Sequence, residues 1–389
     1  MSDLSVLVVG AGLGGLCLAQ GLRRAGIPCA VYERDASPAS RLQGYRLHID
    51  VHGDNALRAA LPPELHALFR DTSFVARPES PVYDTQLTQV TSFAMPGPVH
   101  LNINRYTLRQ ILLHGIEDDV HFGKQFVRYE TGRDGVTAYF ADGTTATGTI
   151  LVGADGVGSP IRAQYLPRMR VVDTGLRTFY GKIPLTPASR ELFDDEMFAV
   201  FSIITDLNGT MLGVAPVEYP RPVAEAVAQW APGLRIRDHD HYMTCSFSVR
   251  KETLTQSDDE LRELSGRELG EIMLDRLRGW HPRVRAMVES CDLDSLFTLL
   301  LRTSVPIEPW RSTEVTLLGD AAHAMSPAAG MGANTALRDA GVLAEALTTH
   351  SPLDAIERYE KDMTDYGFAA VRQSAANGLR FVGQDPLPL

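Results

Sequence analysis

The sequence predicts an α/β chain in which a parallel, doubly wound unit is interrupted by a mostly antiparallel sheet. Three observations predict it. An apolar run, Leu4-Ser-Val-Leu-Val-Val9, leads straight into Gly10, Gly12 and Gly15. A second strand-turn-helix pattern returns far down the chain, at Val315-Thr-Leu-Leu-Gly-Asp320. Between about residues 171 and 250 the texture changes to strand-like runs divided by loops that contain Pro and Gly. At 389 residues the chain is long enough for two domains sharing a sizeable core.

The first glycines have separate jobs. Gly10 permits a tight turn, Gly12 leaves the backbone bare to a pyrophosphate, and Gly15 lets the helix lie close on the strand. That helix is predicted over about Leu13 to Ala25, stopped by Gly26 and Pro28. Ala30-Val-Tyr-Glu33 closes the unit, and the acid at its end can accept the hydroxyls of an adenosine ribose. A lone GxGxxG is weak evidence. Strand, glycine turn, helix, strand and acid in that order predict a dinucleotide site.

After Glu33 comes a polar loop, then Gly44 to Asp50 and a short helix around Asn55 to Leu61, ended by Pro62 and Pro63. Pro81 to Met95 alternate and hold β-branched residues, which predicts a hairpin. A helix follows at Arg105 to Leu113, with apolar positions 108, 111 and 112 on one face. Val120 to Tyr129, Val136 to Phe140 and Thr144 to Val152 read as strands, the last two joined by a turn at Asp142-Gly143. Then come Gly153-Ala-Asp-Gly156 and a helix start near Ser159-Pro160. In the middle region Met197 to Ile204, Thr210 to Val217 and His241 to Val249 are strand-like, followed by a helix over roughly Glu260 to Leu277. The helix after Gly332 carries an apolar stripe at Leu337, Ala340, Ala344 and Leu347. The expected division is a discontinuous nucleotide-binding domain, 1–75, 101–170 and 280–389, around a middle substrate-binding domain, 76–100 and 171–279.

A net charge of −11, spread along the chain, argues against nucleic acid or an anionic membrane as the main partner. Cys17, Cys29, Cys245 and Cys291 lie far apart without CxxC spacing. Zinc, or any other metal, and a disulfide framework are therefore not expected, and a reducing cytoplasm fits. Ser5 to Leu22 is apolar enough to resemble a membrane span. Its glycines, Gln20 and the absence of basic residues before it favour a buried strand and helix.

The second glycine-rich element is Gly319-Asp-Ala-Ala-His-Ala-Met-Ser-Pro-Ala-Ala-Gly-Met-Gly-Ala-Asn334. Asp320 falls at the carboxyl end of a short apolar strand, and Ala321 and Ala322 obstruct little. Pro327, Gly330 and Gly332 lead a stiff turn into a helix whose first amides are unpaired. Such an end stabilises a nearby anion by about 0.3 to 2 kcal/mol. A reduced flavin, anionic along its N1–C2=O edge, suits it.

In order and spacing, Gly10 to Glu33, Gly153 to Gly156, and Gly319-Asp320 through Asp339 resemble the three fingerprints of single-component FAD-dependent aromatic hydroxylases, the para-hydroxybenzoate hydroxylase class of monooxygenases. The resemblance covers essentially the whole chain, with the middle sheet matched only in texture, and the length resembles the compact members. It implies a Rossmann-like FAD-binding domain with an inserted, mostly antiparallel substrate domain. It also implies roles, position by position. Gly10, Gly12, Leu13 and Gly15 would cradle the pyrophosphate, Glu33 would bind the ribose, and Arg34 would lie near the adenine. Arg105 matches an arginine that reaches the pyrophosphate or ribityl region in relatives such as the tetracycline-inactivating monooxygenase. Asp155 resembles the acid between FAD and the path of the nicotinamide cofactor. Gly319 and Asp320 would hold the ribityl chain and pyrophosphate. Gly330, Met331, Gly332, Ala333 and Asn334 would present the loop and its amides to the flavin ring. Arg41 and Arg46 fall in the segment that touches the flavin and bear on admission of NAD(P)H. His48 departs from the pattern, standing where that relative has an acid.

The family cycle so implied reduces FAD with NAD(P)H, adds O2 to give a C4a-hydroperoxide, and hydroxylates or epoxidises an aromatic or polyketide-like small molecule. Tyr180, Phe201, Met211 and Tyr242 are the candidates to line its cavity, beside the bland reading that apolar residues on sheet faces are core. No general base is assignable, and His48 is the weak candidate. A non-oxygenating flavin oxidoreductase of the same fold, such as a prenyl reductase or dehydrogenase, and a flavin redox sensor stay open. A halogenase is disfavoured because Trp280 and Trp310 stand alone, without a Trp-x-Trp-x-Ile-Pro segment.

Overall fold

A computed structural model describes residues 4–40, 45–133, 135–236 and 240–388, so the expectation for Arg41 falls outside the described residues. Its centre is a five-stranded parallel sheet in the order Val315–Leu317, Ile150–Gly153, Val6–Val9, Cys29–Glu33, Val120–Phe122. Every residue of Val6–Val9 is buried, because a central parallel strand is covered on both faces. The first helix, Leu13–Arg24, and a late helix, Gly332–Thr349, pack on each other beside this sheet. Two chain segments some 300 residues apart thus share one core that includes Leu16, Leu18, Leu318, Leu337 and Leu343.

The middle of the molecule is a sheet of eight strands along Asp292–Ser304, Val171–Pro184, Tyr242–Arg250, Thr210–Val214, Ser202–Thr205, Glu79–Tyr83 and Gln89–Ala94, with Pro216–Val217 added beside Tyr242–Arg250. All its pairings are antiparallel except Ser202–Thr205 with Glu79–Tyr83. The hairpin read at 81–95 is its outer edge. Asp292–Ser304 also belongs to it, so the sheet runs past residue 279. A second core of Phe179, Phe247, Met243 and Cys245 lies against helices Gly266–Arg276 and Pro282–Glu289. A small antiparallel trio, Phe74–Val75, Leu101–Asn104 and Arg46–Ile49, meets the middle sheet through Asn102 and the Pro216 carbonyl, and the late helix through the His48 carbonyl and Asn334.

Several expected elements are divided in two. The run 120–129 breaks at Gly123, whose φ of +74° ends Val120–Phe122 and lets Phe126–Gly132 begin a separate three-stranded sheet. The run 144–152 splits at Thr149, whose amide turns to the Ser5 carbonyl at 2.8 Å. The helix expected over 260–277 is Asp258–Glu263 plus Gly266–Arg276. Ser257 with Glu260 and Ser265 with Glu268 each form a capping box, so the second helix has its own start. Pro63 does not only end a helix; it opens another, Pro63–Asp71. Of the stretch 197–204, Met197 lies in a 3₁₀ turn and only Ser202–Thr205 is strand.

The chain finishes with a 31-residue helix, Pro352–Val382, started by Ser351-Pro352 and stopped at Gly383 with φ +67°. Tyr359 on this helix donates its hydroxyl to the Leu317 carbonyl at 2.8 Å, fixing the edge strand of the parallel sheet. Among the described residues no helix is long and apolar enough to cross a membrane.

Candidate functional site

Each glycine of the first turn meets a different surrounding. A Cβ on Gly10, already at φ +112°, would stand 2.2 Å from the Ala154 carbonyl oxygen. One on Gly15 would stand 2.1 Å from the Gly10 carbonyl oxygen, whereas one on Gly12 would meet nothing within 4 Å. Two glycines therefore serve packing and the third faces open space. No side chain caps the helix that starts at Leu13, and its first turn has no acid. Its amides and partial positive charge stay available to an anion. Glu33 is buried, and its two oxygens accept from the Ala11 and Asp35 amides at 2.8 and 3.0 Å. Arg109, on the helix Arg105–Leu113, closes the turn from the other side through Ala11 O at 3.0 Å and Pro38 O at 2.9 Å. Arg34 is exposed.

Gly153-Ala-Asp-Gly packs directly on Gly10. Asp155 has one oxygen, Oδ1, shielded from solvent with no partner, and burial raises its carboxyl pKa against the opposing Ser159 hydroxyl.

The second glycine element is braced from behind. Gly319, at φ +64°, donates its amide to Asp339 Oδ2 at 2.8 Å. His323 Nε2 lies 2.6 Å from the same oxygen, both side chains fully buried, and the Tyr366 hydroxyl donates to Oδ1 at 2.6 Å. Burial opposes a charge on His323, but Asp339 outweighs it and the pKa is raised. Asp320 itself is exposed. The late helix starts without a side-chain cap. Gly14 approaches Leu318 and Ala336, and Gly21 approaches Ala344. Those two contacts run in the same direction along both helices, so the helices are parallel and their amino ends lie side by side. Gly12 and Gly332 share one edge of the molecule.

Asn334 ties this edge to the small sheet. Its Oδ1 accepts from the Asp50 amide at 2.9 Å, and its Nδ2 donates to the His48 and Gly330 carbonyls at 2.9 and 3.2 Å. His48 follows by a chain of roles. His100 Nε2 donates to the Gly97 carbonyl at 2.9 Å, so its Nδ1 accepts from His48 Nε2 at 3.2 Å. His48 Nδ1 is left a shielded lone pair without a partner, and a Cβ on Gly330 would stand 3.8 Å from it. Burial, then Arg46, then His100 push the His48 pKa down to about 3.

On the far side stands an aromatic wall. Tyr45, Tyr180 and Phe297 form ring pairs at 5.4, 6.5 and 6.0 Å. Arg105 lies over Tyr45 at 5.3 Å, and Lys182 Nζ over Tyr242 at 4.8 Å. The Tyr242 hydroxyl accepts from Asn104 Nδ2 at 3.1 Å, and Asn104 Oδ1 caps the Arg105 helix. Arg46 donates to the Val200 carbonyl and sits over Phe201 at 5.5 Å, while its amide reaches the Tyr180 hydroxyl at 3.3 Å. Tyr180, Phe201 and Tyr242 are therefore brought together. Met211 packs with Val82, Leu176, Ile203 and Val382, a cluster that Phe201 also lies against. Tyr45, Lys182, Asn104, His100 and Phe297 went unread as site residues. For Lys182 the signal was there, since it shares a strand face with Tyr180. Two surface depressions, of about 750 Å³ beside Gln20 and Trp230 and 330 Å³ beside Pro184 and Ser290, contain none of these residues.

The cradle fits an FAD. It offers open space at Gly12, two uncapped helix ends, and unpartnered acceptors at Asp155 and His48 that need hydroxyl or N–H donors. Comparison with known proteins gives the class. Residues 293–374 match the FAD binding domain family, and residues 8–72 match the NAD(P)-binding Rossmann-like domain family. A crystal structure of a protein assigned as an FAD-containing monooxygenase from Photorhabdus luminescens is 31% identical, with TM-score 0.83, over 97% of this chain and 99% of that one. The chain belongs to the FAD-dependent monooxygenases, and FAD is its cofactor. Dual O-methyltransferase/FAD-dependent monooxygenase CTB3 of Cercospora beticola is 32% identical over 98% of this chain and 47% of its own length. The chain thus spans about half the length of the first curated relatives it matches. The 6-hydroxynicotinate 3-monooxygenase of Pseudomonas fluorescens is 27% identical over 98% of this chain and 93% of its own.

Proposed function

We propose that the chain is an NAD(P)H-dependent monooxygenase that hydroxylates or epoxidises an aromatic or polyketide-like small molecule with O2. One observation carries the reading. The two parallel helix ends and the aromatic wall around Tyr180 meet across the same small sheet, Arg46–Ile49 with Leu101–Asn104. Bound FAD would supply hydride acceptance and oxygen activation.

The chain's own residues do the rest. Gly10, Gly12, Leu13 and Gly15 would admit the pyrophosphate, with Arg105 near it and Arg34 toward the adenine. Glu33 keeps the turn shaped and has lone pairs left for ribose hydroxyls. Asp155 Oδ1 and the exposed Asp320 would accept from the cofactor's hydroxyls. Gly330, Met331, Gly332, Ala333 and Asn334 would set the helix end against the flavin ring, where its partial positive charge favours the reduced anion. His48 stays unprotonated at neutral pH, so Nδ1 serves as a hydrogen-bond acceptor and not as a reservoir of protons. Tyr180, Tyr242 and Phe297 keep water from the reacting face. The middle residues 76–100 and 171–279 would form the substrate domain.

The test is oxygen uptake by purified, FAD-loaded protein with NADH or NADPH while aromatic compounds are scanned. Coupled consumption, faster with substrate and giving a product heavier by one oxygen, supports the reading. NAD(P)H oxidation without oxygen uptake would point to a reductase.

A further inference from the structure

We propose that His100 is a positioning residue: held by the Gly97 carbonyl, it keeps His48 in the one tautomer whose Nδ1 is a bare acceptor. That acceptor then takes an O–H or N–H hydrogen from the molecule bound beside Gly330. The inference rests on the flavin seat proposed at Gly330 and deepens it. A backbone carbonyl can only accept, so the 2.9 Å contact of His100 Nε2 with Gly97 O places the hydrogen of that ring. His100 Nδ1 is then a lone pair, and across 3.2 Å His48 Nε2 must be the donor. The ring centroids are 5.4 Å apart and the planes 15° from parallel, as for imidazoles joined end to end by a hydrogen bond between ring nitrogens. Gly97, at φ +97° between Pro96 and Pro98, gives the chain a stiff foot.

His48 is held at its other end by the backbone. It pairs with Asn102 across the small sheet, and its carbonyl accepts from Asn334 Nδ2 at 2.9 Å. Both imidazoles are buried, and His48 Nδ1 has no protein donor. Burial, then Arg46, then His100 keep the ring neutral, so Nδ1 does not acquire a proton from solvent near neutrality. A covered acceptor without a hydrogen is costly, and a ligand that brings one relieves the cost. The missing side chain of Gly330 leaves room on that side, within the segment 293–374 that matches the FAD binding domain. A hydroxyl or ring N–H of FAD fits, as does a phenolic hydroxyl of the substrate. An ether or a carboxylate would set lone pair against lone pair.

The experiment labels the histidines with nitrogen-15 and records two-bond proton–nitrogen correlation spectra, which separate a hydrogen-bearing ring nitrogen from a bare one. His48→Gln assigns the His48 signals. In the apoprotein at neutral pH, His48 should carry its hydrogen on Nε2 and leave Nδ1 bare. FAD is added next and phenol last, without NAD(P)H. Movement of the Nδ1 resonance at the first addition identifies FAD as the donor, and at the second the substrate hydroxyl. His100→Phe takes the acceptor from Nε2, so the hydrogen should spread onto Nδ1, and the ligand that moved it should bind about 3- to 10-fold more weakly. The carboxamide of His100→Gln can accept from His48 and donate to Gly97, so it should restore both tautomer and affinity, which a role in packing alone would not predict. A hydrogen on Nδ1 in the parent apoprotein, or an unchanged tautomer in His100→Phe, would overturn the proposal. So would an Nδ1 that neither FAD nor phenol moves. The apoprotein spectrum involves no turnover, so its failure is separable from failure to oxygenate.

Discussion

The cofactor edge and the aromatic wall are built in opposite ways. The edge is made of backbone: a bare Gly12, uncapped helix amides, and turns at Gly10, Gly319 and Gly330 that need positive φ. The wall is made of side chains drawn from Tyr45, Tyr180, Tyr242 and Phe297, on four separate segments. A backbone site dictates glycine at fixed intervals, whereas a side-chain site needs only some large residue on the correct face of a strand. Damage to the first should therefore empty the protein of flavin, and damage to the second should spare it.

The largest effect is expected behind the edge. Asp339→Ala strips the Gly319 amide, His323 and Tyr366 of a shared partner, and breaking such a buried pair costs on the order of 3–5 kcal/mol. Urea denaturation should show that loss together with a lower ratio of flavin to protein. Full flavin retention would mean the brace does not shape the cradle.

Next comes acid stability. His48 is neutral in the folded protein down to about pH 3, whereas in the unfolded chain it protonates below its ordinary 6.5. Its contribution is thus complete above pH 6.5 and is lost as pH falls toward 3. Melting temperatures measured across that window should fall less steeply for His48→Gln than for the parent.

The glycines give the sharpest contrast inside the edge. Gly15→Ala places a methyl 2.1 Å from a backbone oxygen and should cost about 1–3 kcal/mol or more, with flavin lost. Gly12→Ala meets no protein atom within 4 Å, so the apoprotein should melt nearly as the parent does while FAD affinity drops. Equal melting of the two apoproteins would erase the distinction between packing and ligand glycines.

Smallest is Asn104→Ala, at the seam. It removes a helix cap worth about 1 kcal/mol and the Tyr242 hydroxyl's partner. Flavin content should hold while the KM for substrate rises, as steady-state kinetics with a known substrate would show.

This contrast also explains what could be read in the sequence. Leu13–Arg24 and Arg105–Leu113 lie where the glycine turn, the stop at Gly26 and apolar spacing placed them, and Gly319-Asp320 stands at a strand's carboxyl end as expected. Periodicity could not show that 120–129 serves two sheets, because one glycine with positive φ decides it. The Ser-x-x-Glu boxes at 257–260 and 265–268 were visible signals of a broken helix that the apolar run concealed. Met211 and Tyr180 look equally fit for a cavity in one dimension, and strand pairing does set both on one face of the middle sheet. With Tyr242–Arg250 between their strands, Met211 joins the cluster of Val382 and Tyr180 the aromatic wall. Arg46 was legible as part of the flavin-touching segment, but the direction of its guanidinium depends on Val200, which lies 154 residues away.

The order of the parallel sheet has a further consequence for biosynthesis. Its strands assemble as residues 315, 150, 6, 29 and 120, so Ile150–Gly153 waits for its edge partner, Val315–Leu317, until much later in translation. A nascent chain halted before Asn334 would carry a complete glycine turn and still hold no flavin, because the second helix end does not yet exist. Holoenzyme formation is thereby deferred until residues 315–334 have been made, and this non-local closure should make it the slow phase of refolding.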